Sequence, residues 1–305
     1  MDNTIKWLLE GDVSVQYMVH RWLLNADDAT LTQLQSRIAL EGYGARLLSC
    51  RNPNGHWGDY YYQPKWISTH YTLLDLQSLC APSSLLPCRE IITRMLNQCM
   101  KADGCLNLSK SDLPSDICVD GMALNCSAYF CADDPRLGKL VDHLLSAQKA
   151  DGGFTWDIGS KAGDPHTTIC VLEGLGQYLS TGLGGRQDDI IAAQKKATEF
   201  LLSRQMFTDD KDSRYRKLSF PHRYRYDLLR ALECFAGQHV PFNPRMRPSI
   251  DWLQGKRRHD GMWYLENAHK GNVHFVMEEL RSPSRFITVK AQRILKHYEN
   301  IIKSK

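Results

Sequence analysis

His70, Cys118, His166 and His222, side chains able to move protons, ligate metals or hold anions, occupy one recurring point of the chain, each followed six residues later by Leu76, Leu124, Leu172 or Leu228. Their separations are 48, 48 and 56 residues. Arg285 takes the same place in a fifth segment, where Ala291 replaces the leucine. If the repeats close into a ring, these five side chains line one opening.

The most ligand-like arc is Asp116, Cys118 and His166. A carboxylate and a thiol stand two residues apart at the start of one helix, and an imidazole starts the next in register. These donors suit zinc, and three protein ligands leave a position open for substrate or water. The competing account makes Asp116 a helix N-cap after Pro114–Ser115 and Cys118 a small core residue. Asp120, His70 and His222 are the candidate acid–base residues, Asp120 on condition that burial raises its pKa. A first-turn carboxylate facing the helix dipole is the alternative for Asp120. Arg225 and Arg285, with His222, suit a substrate anion, while Tyr71 and Tyr224 suit a cavity wall or a ligand hydrogen bond. His274 and Glu278 have the spacing of one helical face and can equally be a structural pair.

The elements that must position these residues are legible as a beat of turns: Asn54-Gly55-His56-Trp57, Asp103-Gly104-Cys105-Leu106, Asp151-Gly152-Gly153-Phe154 and Asp260-Gly261-Met262-Trp263, with a degenerate copy near 209–215. Each reads as a helix ended by a left-handed glycine, then an aromatic or apolar residue folding back between helices. Helices are expected before the turns at 35–50, 86–100, 136–149, 189–206 and 246–257. After them they are expected at 67–80, 116–131, 166–180, 222–236 and 285–299. The first set is charged on one face and belongs outside; the second is small and apolar nearly all round and belongs inside. Residues 1–34 are expected to cap the array with a helix over Ile5–Leu24, terminal units of repeat folds being atypical.

Bulk properties agree with one continuous helical body over 1–305. The hydrophobic share is 43% and the charged share 24%, ordinary for a globular chain. No run approaches the roughly 18–20 apolar residues of a membrane span, and the start Met1-Asp2-Asn3 lacks a signal-peptide pattern, so a cytoplasmic location is expected. The ten cysteines sit within helical patterns and are expected as thiols. A net charge of +4 with no accompanying binding motif gives no case for nucleic acid.

The turn segment Leu144-Leu145-Ser146-Ala147-Gln148-Lys149-Ala150-Asp151-Gly152-Gly153-Phe154 and the helix start Asp164-Pro165-His166-Thr167-Thr168-Ile169-Cys170-Val171-Leu172-Glu173-Gly174-Leu175 resemble the repeats of squalene cyclases and protein prenyltransferase β subunits. The resemblance covers about residues 35–300. It implies an all-α, α/α toroid of about five inner and five outer helices plus the N-terminal cap. It also implies a hydrophobic or isoprenoid-like substrate, a zinc set at Asp116, Cys118 and His166, and, for a prenyltransferase, a helical partner subunit that this sequence does not identify. The chain departs from the class II cyclases in lacking an Asp-x-Asp-Asp motif; Asp209-Asp210-Lys211-Asp212 has another order. The expected function is therefore a toroid enzyme working at the open end of a central cavity, not by the Asp-x-Asp-Asp route. The alternatives are a non-catalytic toroid that binds a small molecule or peptide, and a protein-interaction scaffold.

Overall fold

The computed structural model describes residues 2–302, with side chains described as far as Tyr298. Its helices are α1 (Asn3–Leu9), α2 (Val13–Trp22), α3 (Asp28–Ile38), α4 (Gly42–Ser49), α5 (Thr69–Ser78), α6 (Leu86–Cys99), α7 (Ile117–Phe130), α8 (Leu137–Ser146), α9 (Pro165–Ser180), α10 (Gln187–Ser203), α11 (Leu228–Gly237), α12 (Arg247–Gly255) and α13 (Arg285–Ile302). Helices α5, α7, α9, α11 and α13 pack side by side as the inner ring of an α/α toroid and alternate along the chain with outer helices. No helix among the described residues is long and apolar enough to cross a membrane.

The turn beat sets the geometry. Gly55, Gly104, Gly152 and Gly261 all have φ between 84° and 88°, a left-handed conformation that favours glycine. Two residues on, a backbone N–H donates to a side-chain oxygen near the start of the inner helix. Trp57 donates to Thr69 Oγ1 at 3.1 Å, Leu106 to Asp120 Oδ1 at 3.1 Å, Phe154 to Thr168 Oγ1 at 2.9 Å and Trp263 to Thr288 Oγ1 at 3.0 Å. Each turn glycine also faces the next outer helix: Gly55 faces Arg94 of α6, Gly104 faces Lys139 of α8, and Gly152 faces Lys196 of α10.

Gly261 continues this series against Thr4 of α1. Helix α1 therefore takes the outer place after α12. Helix α2 packs against α13, and its Arg21 and Trp22 face the same central cavity as the inner helices. The N-terminal segment is thus a sixth helical pair that closes the ring, where a single capping helix was expected.

Two further boundaries differ from expectation. The outer helix expected at 35–50 is two helices, α3 and α4, broken at 39–41. The carboxylate of Asp12 docks at this break, accepting from Ser14 N at 2.9 Å to cap α2 and from Tyr43 N at 2.8 Å to start α4. The inner helix expected at 222–236 begins only at Leu228, because Pro221 and the left-handed Arg223 (φ 58°) precede the Asp227 cap.

The tightest crossing joins α7 to α9 through two glycines. A Cβ on Gly174 would stand 2.3 Å from the carbonyl oxygen of Gly121. Gly174→Ala is expected to cost about 1–3 kcal/mol through forced backbone movement. Gly138→Ala on α8, whose Cβ would meet nothing closer than the Tyr178 hydroxyl at 3.9 Å, is expected to gain about 0.5–1 kcal/mol. Urea unfolding of the two variants checks the contrast.

Candidate functional site

His70, Cys118 and His166 do share a register, each being the second residue of its inner helix. Arg285 is the first residue of α13, and His222 lies six residues ahead of α11. Their side chains nevertheless do different things. His70 is completely buried among Tyr62 and Tyr71, and neither ring nitrogen has a hydrogen-bond partner among the described residues. That burial pushes its pKa down to about 3. His166 accepts the Tyr226 N–H on Nδ1 at 2.8 Å, and burial lowers its pKa also. Arg285 is drawn outward, lying 4.4 Å over the Trp7 ring and donating to the Trp7 carbonyl at 3.1 Å.

Each of the expected zinc ligands has another partner. Asp116 caps α7, its Oδ1 accepting from Cys118 N at 2.9 Å. The Cys118 Sγ faces Cys170 Sγ at 3.6 Å, and this thiol contact together with burial raises its pKa. Among the described residues, no group of three or more His, Cys, Asp or Glu side chains is placed to hold a metal ion. Asp120 accepts the Leu106 N–H and a Ser115 hydroxyl and lies 3.3 Å from His143 Nε2 of α8, so it ties the turn to the outer layer. Burial raises its pKa, as the acid reading requires, but Asp120 is not among the residues that line the cavity.

The N-terminal end of the ring is filled. Trp66 stacks on Tyr224 at 6.2 Å, packs edge-on against Tyr71 and donates to the Lys270 carbonyl at 2.7 Å. Arg225 lies over Tyr224 at 5.7 Å. Arg223 reaches across the ring to α5, where its Nη1 donates to both oxygens of Asp75 at 2.7 and 2.6 Å. Glu278 caps α13 through the N–H of Arg285, and His274 meets Thr72 Oγ1 at 2.9 Å.

Beneath this plug lies a central cavity of about 430 Å³. Its wall is a set of helical stripes: Tyr71, Leu74, Asp75 and Ser78 on α5; Met122, Asn125 and Tyr129 on α7; Glu173, Gly176, Gln177 and Ser180 on α9; Arg230, Glu233, Cys234 and Gly237 on α11. Lys290 and Arg293 of α13 and Arg21 and Trp22 of α2 complete it. Along α9 and α11 these stripes pass from buried Arg230 to exposed Ser180 and Gly237, so the cavity opens at the C-terminal ends of the inner helices. One side is largely apolar and the other charged. Arg230 holds Glu173 through Nε at 2.8 Å and Nη2 at 2.6 Å.

At the floor, His222 Nε2 lies 3.1 Å from Glu233 Oε2, Lys290 Nζ lies 2.9 Å from the same oxygen, and Asp227 stands 3.7 Å from His222 Nδ1. Burial and Lys290 push the His222 pKa down, but the carboxylates of Asp227 and Glu233 outweigh them and hold it above the ordinary histidine value. Burial works against the ionised Glu233, yet Lys290 and His222 hold its pKa well below the usual range.

The family model of the prenyltransferase α/α toroid domain matches residues 9–238. The chain belongs to this family. A solved structure of a protein from Actinoplanes is similar to the toroid over 95% of this chain and 90% of that one, at 16% identity and a TM-score of 0.50. The type II terpene cyclase MstE from Scytonema is similar over 87% of this chain and 97% of its own, at 13% identity and a TM-score of 0.34. A variant of that cyclase, solved with geranylgeranyl dihydroxybenzoate as substrate, has the same TM-score. No curated protein matches the sequence.

Of the residues singled out from sequence, the toroid places Tyr71 and His222 on the cavity. Asp75, Glu173, Arg230, Glu233, Lys290 and Arg293 went unmarked. Their signal was present as charges three residues apart on inner helices, such as Arg230 and Glu233 or Lys290 and Arg293.

The unfolded chain protonates His70 near 6.5, whereas the folded toroid resists protonation down to about 3. The stabilising contribution of neutral His70 is complete above pH 6.5 and is lost as pH falls toward 3. Between pH 7 and 4.5 the wild type is expected to lose about 2 kcal/mol more than His70→Phe, read by denaturant titration at each pH. Elemental analysis of protein purified without added zinc is expected to show well under one equivalent; a full equivalent lost in Cys118→Ala would show that the three residues do assemble.

Proposed function

We propose that this toroid is an enzyme whose working site is the central cavity entered from the C-terminal ends of the inner helices. It takes a small amphipathic molecule there. The observation that carries the reading is the two-sided wall: Leu74, Met122 and Tyr129 offer apolar contact, while Glu173, Arg230, Glu233 and Lys290 face them with buried charge. A cavity of about 430 Å³ lies within the usual range for small-molecule sites. Purely structural packing would fill this space with apolar side chains, since buried ion pairs are a poor source of stability.

His222 is the proton-transfer residue in this reading. It lies on the floor of the cavity, half-enclosed by Asp227, Glu233 and Lys290. The carboxylates favour its charged form and orient the ring, and Lys290 opposes a second positive charge. This balance suits a group that gives and regains a proton near neutral pH. The isoprenoid-like character of the substrate agrees with the apolar side of the wall and with the family, and the amphipathic body is the form in which it is proposed.

A metabolite screen by thermal shift on wild type and on Asn125→Trp, which fills the mouth, tests the site. Compounds are expected to raise the melting temperature of the wild type and not of the filled variant. Conversion of such a compound, followed by NMR, is expected to vanish in His222→Gln while its thermal shift remains. Hits that stabilise both proteins equally would remove the cavity from the argument, and binding without conversion in the wild type would reduce the toroid to a binding module.

A further inference from the structure

The charged lining of the cavity does not balance. Five cationic side chains face it, Arg21, Arg223, Arg230, Lys290 and Arg293, against the carboxylates of Asp75, Glu173 and Glu233. Arg223 is taken by Asp75, Arg230 by Glu173 and Lys290 by Glu233. Arg21 and Arg293 remain, and neither forms an ion pair among the described residues. Arg21 of α2 gives one N–H to the Tyr17 hydroxyl at 3.0 Å, and Arg293 of α13 lies over the Trp22 ring at 4.3 Å.

Both guanidinium groups line the cavity, close enough for Arg21 to act on the charge of Arg293. Helices α2 and α13 pack together, and the Cys80 thiol feels the charge of both arginines. Among the described residues each keeps most of its N–H donors unused. Burial penalises the charge of Arg293, the Glu233 carboxylate offsets part of that penalty, and the proximity of Arg21 adds to it. Arg21 is exposed and Arg293 half-buried, and a half-buried guanidinium with no ion-pair partner of its own gives up stability at that point, as binding groups do.

We infer that Arg21 and Arg293 receive an oxyanion carried by the molecule that enters the cavity, and that this oxyanion is the dianion of a phosphate ester. The inference rests on the cavity being the working site and adds the class of its ligand. Guanidinium forks match phosphate and carboxylate oxygens bidentately. Two uncompensated positive charges match the charge of a phosphate ester near neutral pH, about −1.5 to −2, better than that of a carboxylate. At the mouth, Gln77 Nε2 donates to Asn125 Oδ1 at 2.7 Å, and Gln177 lies beside them on α9. These amides offer hydrogen bonds to polar groups next to the phosphate, while Leu74, Met122 and Tyr129 take the apolar body and direct it toward His222.

Calorimetric titration of the full chain with phenyl phosphate, benzoate and benzyl alcohol tests this. Phenyl phosphate is expected to bind at least about tenfold more tightly than either competitor, and Arg21→Gln and Arg293→Gln each to weaken it by about tenfold while leaving benzyl alcohol unchanged. Without ligand, Arg293→Gln is expected to melt at the same or a higher temperature than wild type, because it removes a half-buried charge that forms no ion pair. A phosphate no tighter than benzoate, or unchanged by both variants, overturns the inference. So does a marked fall in melting temperature of ligand-free Arg293→Gln, which would make this arginine structural. If benzyl alcohol binds wild type and is excluded by Asn125→Trp while the phosphate adds nothing, the anion site fails and the cavity reading stands. If Asn125→Trp binds every probe as well as wild type does, the cavity reading itself fails.

Discussion

Arg223 leaves a loop ahead of α11, crosses the ring and pairs with Asp75 on α5, where both side chains are only 5% exposed. Two charges removed from water require each other, and breaking such a pair costs about 3–5 kcal/mol. Burial raises the Asp75 pKa while the guanidinium opposes that rise. The contact therefore ties non-adjacent walls of the toroid and fixes the loop over the N-terminal ends of the inner helices. Trp66 and Tyr224 pack onto it, with Arg223 lying 5.4 Å from the Trp66 ring. With that end plugged, access falls to the C-terminal end, and His222 is carried to the floor of the cavity.

The ring around this pair is held by repetition. A left-handed glycine releases the chain from each outer helix, a backbone N–H finds a side-chain oxygen on the inner helix, and the glycine rests on the next outer helix. Only small groups permit the closest approaches, as between Gly121 and Gly174. Aspartates cap α2, α7, α9 and α11 through Asp12, Asp116, Asp164 and Asp227, which satisfies N–H groups that helix starts leave free. The residues at these starts are therefore largely committed to the frame. Polar side chains two or three turns further along remain available to the cavity.

Much of the frame was legible because it depends on local chemistry. Gly55, Gly104, Gly152 and Gly261 announce turns whose backbone favours glycine, and apolar helices such as α7 announce their enclosure. The sixth pair was not legible. Helices α1 and α2 are short, their connection at Gly11–Asp12 lacks the turn beat, and their place is set by contacts with Gly261 and α13 far away in the chain. The late start of α11 was hidden for a related reason: the leucine at 228 kept the repeat in phase while Pro221 and Arg223 removed His222 from the helix.

The site divides along the same line. Sequence by itself determined which residues begin the inner helices, since caps and turns act over a few residues, and so placed His70, Cys118 and His166 in a true common register. It did not determine what those side chains face. A rotation of a helix by one residue carries a side chain about 100° around the axis, and that rotation is decided by packing against both neighbours. Tertiary structure thus turned His70 into the core, Cys118 toward Cys170 and Asp120 toward the outer layer. The same packing gathered Asp75, Glu173, Arg230, Glu233 and Lys290, spread over more than two hundred residues, around one space.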